Sequence, residues 1–321
     1  MDKARKRTCP QARLLSVFTR LSDGEISRFA ASAALGAVVE TSPVADGIEN
    51  TIYKVETERG PFILTLFENA DTESVRAIGE LLSILHERGV KVAAPVGELS
   101  FFDEKPLLFF PYVKGTQPGK LSESNLRSLG REVANLHLSG YGLSGKIAPE
   151  KLSRLHLSSR VLAEAEKEAN FFPEYTDFLL TEALYQSRVP EEGLPGGLIH
   201  ADLFPDNLIF DPENGGVLAI LDFALAGYGP YVFDVGVALL ACVYLTTSDW
   251  TEREKLAGFF LEGYECARVL EPEERALIVP YIRRAALRYL CLRLERRRNP
   301  SKSGVVKDPD DLVKVIESFK Y

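Results

Sequence analysis

The spacing of apolar residues changes near residue 113, and this change restricts the possible folds more than any other feature of the sequence. Before it, apolar residues occur in short alternating runs separated by turns, as in antiparallel strands. After Gly115, they recur at helical spacing almost to the end of the chain. The predicted elements of the first part are strands at residues 50–57, 62–67, 90–96 and 107–113 and helices at residues 22–34 and at about residues 72–88. The sequence therefore predicts an α+β fold, with a small antiparallel sheet in residues 1–111 and a larger, mostly helical part in residues 112–321.

Composition and charge exclude several classes of protein. The net charge of −8 argues against a general nucleic-acid binder, because neutralising phosphates requires a basic surface. The apolar run from Val232 to Leu245 contains Asp234 and is shorter than a membrane span, so we interpret it as a buried helix. The cysteines are scattered, without the spacing of a zinc site or a disulfide framework. We therefore expect a cytoplasmic protein with reduced thiols and with no nucleic-acid or membrane partner.

One polar segment, residues 200–207, interrupts the helical part. It reads His-Ala-Asp-Leu-Phe-Pro-Asp-Asn, and two short strands separate it from Asp222. Phosphoryl transfer needs a carboxylate that orients and deprotonates the attacking hydroxyl, and oxygen ligands that hold Mg²⁺ against the nucleotide phosphates. Asp202 suits the first task, whereas Asn207 and Asp222 suit the second, because a loop followed by a tight hairpin brings them together. The alternative interpretation is a capped loop with polar surface residues.

The arrangement of Asp202, Asn207 and Asp222 resembles that of kinase-like phosphotransferases, in the form typical of the aminoglycoside and choline kinase branch. Residues 46–53 (Asp-Gly-Ile-Glu-Asn-Thr-Ile-Tyr) and 62–68 (Phe-Ile-Leu-Thr-Leu-Phe-Glu) narrow the resemblance to type II homoserine kinases. Further matches lie at residues 136–140, 284–289 and 308–309, so the resemblance covers most of the chain. It implies a two-lobed protein-kinase-like fold and Mg²⁺-dependent transfer of the γ-phosphoryl group of ATP to the side-chain hydroxyl of L-homoserine, a step towards threonine.

The resemblance also implies which residues of the first hairpin bind the nucleotide. Gly47 permits a close backbone turn over the phosphates, and Asn50 and Thr51 add hydrogen-bond donors. An ordinary hairpin turn would have the same composition. Thr65 occupies the strand position at which the wider kinase pattern has a lysine. This threonine supports the narrower family and leaves open what neutralises the phosphates.

Further implied contacts lie at the hinge and in the last helices. The backbone of Pro111 and Val113 is similar to the hinge segment that hydrogen-bonds adenine. Arg284 and Arg288 lie one helical turn apart, and such a guanidinium pair can bind the carboxylate of an amino-acid substrate. The alternative for these arginines is a solvated basic face that continues through Arg293.

Three residues around the polar segment have expected roles other than chemistry. We expect His200 to bond the loop backbone, and Asp206 either to fix the loop or to face solvent. Asp234 matches a family aspartate that supports the catalytic loop through hydrogen bonds.

Two alternatives to homoserine phosphorylation stay open at this point. Residues 223–228 and 241–243 follow the homoserine kinase pattern only in part, which leaves an aminoglycoside, choline or another hydroxy-amino acid as possible acceptors. Thr65 leaves a catalytically silent nucleotide binder as the second alternative. The intact set of Asp202, Asn207 and Asp222 argues against that second alternative.

Overall fold

A computed structural model describes residues 19–44, 50–143, 147, 155, 157–299 and 307–319. The chain divides into two compact units, Met1–Val75 with Pro95–Tyr112 and Arg76–Ala94 with Val113–Tyr321. These units differ from the predicted division at a single boundary after residue 111, because residues 76–94 belong to the second unit.

The first unit is built on a five-stranded antiparallel sheet. In chain order its elements are α1 (Asp23–Ser32), β1 (Val38–Pro43), β2 (Thr51–Thr57), β3 (Gly60–Leu66), the start of α2 (Thr72–Glu87), β4 (Val96–Phe102) and β5 (Lys105–Pro111). The strand order is β1-β2-β3-β5-β4. The predicted hairpin is β2–β3, in which Thr51 pairs with Leu66 and Thr57 with Gly60.

Helix α1 packs against this sheet and begins at a capping box. The Ser22 side chain accepts from the backbone of Glu25, and the Glu25 carboxylate accepts from the backbone of Ser22. Behind this cap, Ile26 and Ala30 join the apolar core formed with residues of β2, β3 and β5. The Tyr53 hydroxyl accepts a hydrogen bond from the Leu21 backbone at 3.1 Å, which fixes the start of the helix over the sheet.

The second unit is mostly helical. After the rest of α2, its elements are α3 (Glu123–Ser139), α4 (Leu157–Ala169), α5 (Thr176–Gln186), β6 (Gly196–Ile199), β7 (Leu208–Phe210), β8 (Val217–Ile220), β9 (Gly227–Pro230), α6 (Tyr231–Leu239), α7 (Trp250–Glu265), α8 (Pro272–Ala276), α9 (Ile278–Arg298) and α10 (Asp310–Glu317). A π-helical turn, Leu240–Tyr244, extends α6. Gly236 allows α6 to approach α9 closely, because a Cβ at this position would lie 2.8 Å from the Tyr281 carbonyl carbon.

One predicted strand is wrong, and one strand pair was not predicted. Residues 90–96 form no strand before Val96, and Val92 makes only an isolated bridge to Ile220. The sequence also gave no sign of the β6–β9 pair, in which Leu198 pairs with Tyr228. The predicted α+β class is confirmed by the antiparallel sheet of the first unit and the mostly helical second unit. Among the described residues, no helix combines the length and apolar composition needed to cross a membrane.

Candidate active site

The polar segment predicted as the catalytic loop follows β6 and is held by the carboxylate of Asp234. The backbone N–H of His200 donates to Asp234 Oδ2, and that of Ala201 donates to Oδ1, both at 2.7 Å. Asp234 lies on α6 and is fully buried. Ala201 has a φ of +64°, a conformation that costs energy for a residue with a Cβ. The two hydrogen bonds therefore stabilise the loop in this energetically costly turn.

A second layer of buried side chains orients Asp234. Nε2 of His137, on α3, lies 3.2 Å from Asp234 Oδ2, and Nδ1 lies 2.8 Å from the Tyr264 hydroxyl. Burial lowers the pKa of His137, although Asp234 acts in the opposite direction. The imidazole is therefore neutral at pH 7, and these partners assign the proton to Nε2, which donates to Asp234.

His200 joins the loop to the strand that precedes Asp222. Its Nδ1 accepts from the Asp202 backbone N–H at 3.1 Å, and its Nε2 donates to the Leu221 carbonyl at 2.8 Å. The ring is fully buried and packs edge-on against Phe223, with ring centroids 4.6 Å apart. Both ring nitrogens are thus used by backbone groups, which fits a role in holding the loop rather than in proton transfer.

The two carboxylate oxygens of Asp202 have separate hydrogen-bond donors. Nδ2 of Asn207 donates to Oδ2 at 3.0 Å and to the Asp202 carbonyl at 2.9 Å. The hydroxyl of Tyr289, on α9, lies 2.6 Å from Oδ1 and 3.0 Å from the Ala201 carbonyl. Burial, followed by the nearby Asp202 charge, raises the pKa of Tyr289 well above its ordinary value, so the hydroxyl keeps its proton. The partly exposed carboxylate is therefore fixed in orientation.

Asn207 and Asp222 offer oxygen atoms suited to a divalent cation. Because Nδ2 of Asn207 is used by Asp202, its Oδ1 is the atom left for a metal. The Leu221 backbone donates to the Asn207 carbonyl at 2.8 Å, which places Asp222 next to Asn207, and Asp222 is exposed. The described residues contain no group of three or more His, Cys, Asp or Glu side chains arranged for a metal. One amide and one carboxylate fit Mg²⁺, which takes its other ligands from phosphates and water.

The structure describes only some of the residues that were predicted to bind the nucleotide. Gly47 lies outside the described residues. Thr65, on β3, is nearly buried between Ile52 and Leu108 of the neighbouring strands. Pro111 ends β5 and is exposed, while Val113 begins the segment that belongs to the second unit.

Thr51 does not present a donor to phosphates, contrary to expectation. Its fully buried hydroxyl donates to Glu68 Oε1 at 2.6 Å and accepts from the Thr19 backbone at 3.1 Å. Lys105 completes this cluster, with Nζ 2.6 Å from Glu68 Oε2. Asn50 also contributes its Oδ1, which accepts from the Glu68 backbone at 3.4 Å and leaves Nδ2 as its donor. These contacts hold Thr19 to the sheet.

The predicted carboxylate-binding pair, Arg284 and Arg288, is not exposed, so neither a solvated basic face nor an open guanidinium pair describes it. Arg284 is fully buried, and its guanidinium donates to the Gln186 side chain and to the Val189 carbonyl. Arg288 is also buried and donates to the Ala201 carbonyl at 2.9 Å. Arg284 therefore ties helices together, whereas Arg288 supports the loop next to Asp202.

Comparison with known proteins identifies the group to which this chain is related. Residues 40–277 match the phosphotransferase enzyme family. The chain belongs to that family. The homoserine kinase of Caulobacter sp. (strain K31) is 30% identical over 304 residues, covering 93% of this chain and 94% of the relative. An amicoumacin kinase structure superposes with a TM-score of 0.65 at 18% identity, covering 91% of both chains. A spectinomycin phosphotransferase structure gives 0.64 at 11% identity, covering 94% of this chain and 96% of the other.

Membership of the phosphotransferase family makes this chain an ATP-dependent small-molecule kinase. The predicted resemblance to homoserine kinases is confirmed by the relatives. Two contacts of this phosphotransferase escaped the sequence analysis, those of His137 with Asp234 and of Tyr289 with Asp202. His137 and Tyr289 lie in segments that resemble type II homoserine kinases, but the resemblance alone assigned them no role.

Proposed function

We propose that this chain transfers the γ-phosphoryl group of ATP to the side-chain hydroxyl of L-homoserine. One observation carries the proposal: a partly exposed carboxylate, Asp202, whose oxygens are both held by donors, in the loop that leads to Asn207 and Asp222. The choice of acceptor is supported by the relatives named homoserine kinase, which align over 93% of the chain or more. It is also supported by the motifs at residues 46–53 and 62–68.

In this proposal Asp202 is the catalytic base. Its carboxylate orients the acceptor hydroxyl for attack on the γ-phosphorus and accepts the hydroxyl proton as the bond to phosphorus forms. The bond between the γ-phosphorus and the bridging oxygen breaks, and ADP leaves. Because Tyr289 and Asn207 fix both oxygens of Asp202, little reorientation is needed to reach the reactive geometry.

Asn207 Oδ1 and the Asp222 carboxylate would hold Mg²⁺, which neutralises charge on the β- and γ-phosphates when bound. Use of a divalent cation is supported by the amicoumacin kinase, whose structure contains AMP-PNP and Ca²⁺. Asp222 has a φ of +57°, and its Oδ1 accepts from the Ala224 backbone at 3.2 Å. This contact uses Oδ1, so the other carboxylate oxygen, Oδ2, can serve the metal.

The proposal is tested by coupled ADP release from Mg·ATP with a panel of acceptors: L-homoserine, L-serine, choline, hydroxylysine and one aminoglycoside. We expect release with L-homoserine above all others, and none in the Asp202→Ala variant. Preference for choline or an aminoglycoside would retain the kinase mechanism and overturn the acceptor. Binding of Mg·ATP without release for any acceptor would overturn the proposed reaction.

Tyr289→Phe is expected to lower kcat by about 10-fold and to leave both KM values unchanged. The change removes the hydroxyl that lies 2.6 Å from Asp202 Oδ1, so one oxygen of the base loses its orienting donor, a hydrogen bond to a charged group. The measurement is steady-state kinetics with ATP and the preferred acceptor, together with the melting temperature.

Tyr281→Phe is the matched control, because Tyr281 lies on the same helix and donates to the Pro190 carbonyl at 3.0 Å, away from the loop. We expect this control to affect stability similarly and to retain kcat. Equal kcat values for the two variants would show that the Tyr289 hydroxyl has no part in positioning Asp202.

A further inference from the structure

A cavity of about 500 Å³ lies within the second unit, beside the loop that carries Asp202. Phe204, Pro205 and Asp206 line one side of it. The loop turns tightly here, since the Phe204 backbone donates to the Asp202 carbonyl at 2.9 Å. The side chain of Gln117, on another wall of the cavity, donates to the Asp206 carbonyl at 2.6 Å. The cavity is therefore formed by the same loop that presents the proposed base.

The charged residues that line the cavity are balanced in sign. Arg293 and Lys307 supply two positive charges, and Asp206 and Asp311 supply two negative charges. Ala241 and Leu245 add an apolar surface from the end of α6 and its π-helical turn. A ligand with one carboxylate, one ammonium group and a short aliphatic part matches this lining in both charge and polarity.

The guanidinium of Arg293 is held in place by backbone. Its Nη1 donates to the carbonyl of Asp308, and the side chain is half-buried on α9. Burial lowers the pKa of Arg293, and Asp311 and Asp308 act in the opposite direction, so the group stays charged at neutral pH. An arginine fixed at one nitrogen still has donors on its other nitrogens, which suits bidentate binding of a carboxylate.

The positive charge of Lys307 lies near the loop that carries Asp202. Its Nζ lies 5.8 Å from the centroid of the Phe204 ring, near the outer limit for a cation–π contact. Phe204 in turn packs edge-on against Tyr289, with centroids 4.6 Å apart. A chain of contacts thus connects the cavity to the residue that orients Asp202.

We propose that this cavity binds the zwitterionic head of an α-amino-acid acceptor, with Arg293 and Lys307 on its carboxylate and Asp206 and Asp311 on its ammonium group. The proposal rests on the proposed function for the reaction itself, and it replaces the buried pair Arg284 and Arg288 as the carboxylate site. The lining favours a zwitterion over the other acceptor classes. A polycationic aminoglycoside needs an excess of acidic residues, and choline needs several aromatic rings, whereas the described lining contributes one, that of Phe204.

The test compares binding of L-homoserine and of its carboxamide, in which the carboxylate is neutral. Both are titrated calorimetrically into the wild type and Arg293→Gln in the presence of a non-hydrolysable ATP analogue and Mg²⁺. We expect Arg293→Gln to weaken L-homoserine binding by about 10- to 100-fold and to leave carboxamide binding unchanged. Lys307→Gln is expected to have a smaller effect in the same direction, because its ammonium is more exposed.

Arg297→Gln is the matched control. Arg297 lies one turn after Arg293 on α9, and its Nη1 is 3.6 Å from Glu174, outside the cavity lining. We expect the Arg297→Gln variant to bind L-homoserine with the affinity of the wild type.

Turnover with the acceptor panel, measured in parallel, separates failure of this proposal from failure of the proposed function. Phosphorylation of L-homoserine with unchanged binding in Arg293→Gln overturns the cavity assignment and leaves the reaction intact. L-Serine is titrated in the same way, and binding of L-serine that depends on Arg293, without phosphorylation of L-homoserine, supports the cavity and overturns the acceptor. Absence of binding by both L-homoserine and L-serine overturns both proposals.

Discussion

Asp202→Asn is expected to lower kcat by about 10³-fold, within the range that a positioned general base contributes. An amide cannot accept the proton of the attacking hydroxyl, although it has the shape of the carboxylate. The hydrogen bonds around it can be kept. The new amide oxygen can accept from Asn207, and the new N–H can donate to Tyr289, whose proton then goes to the Ala201 carbonyl at 3.0 Å. We therefore expect the fold and the affinity for ATP to be retained.

The measurements are kcat by coupled ADP release, the dissociation constant of a non-hydrolysable ATP analogue, and the melting temperature. Asp177→Asn is the matched control, because it makes the same chemical change at an exposed position in the first turn of α5. Its kcat should equal that of the wild type. If Asp202→Asn kept more than about one tenth of the wild-type kcat, proton transfer to Asp202 would not contribute to the reaction as proposed.

The parts that could be predicted from sequence are those whose contacts are local. The β2–β3 hairpin has a short turn, and the segment from Asp202 to Asp222 contains its own loop and the β7–β8 hairpin. In both, the residues that meet are close in the chain, so spacing and turn composition were sufficient. The strand predicted at residues 90–96 does not form, because Val92 pairs with a single residue, Ile220, which is distant in the sequence.

Long-range contacts account for what the sequence did not reveal about the site. His137 and Asp234 are separated by 97 residues, and Asp202 and Tyr289 by 87. No local pattern can bring such pairs together. The prediction that Arg284 and Arg288 are exposed was wrong for the same reason. From the sequence alone, an arginine on a helix such as Arg284 is expected to be exposed to solvent. Its burial depends on hydrogen-bond acceptors from distant parts of the chain, Gln186 on α5 and Val189 in the segment that follows.

Asp234→Asn is expected to lower both the free energy of unfolding, by about 3 kcal/mol, and the kcat of the folded protein, by about 10²-fold. The wild-type carboxylate accepts from His200, Ala201 and His137. An amide has one acceptor oxygen, so at least one of these buried donors would face an N–H group. The strained turn at Ala201 would then lose a restraint, and a shift of the loop by a fraction of an ångström would move Asp202 away from its reactive position.

Glu182→Gln separates loss of stability from loss of loop position. Glu182 is as buried as Asp234 and accepts from Arg283, with Nε at 3.0 Å, but it lies on α5 away from the catalytic loop. Breaking this buried ion pair should cost about 3–5 kcal/mol of stability. Urea unfolding and kcat per folded molecule are measured for both variants. We expect similar losses of stability, with kcat reduced only in Asp234→Asn. A kcat that follows stability equally in both variants would mean that Asp234 contributes to the fold alone and does not position Asp202.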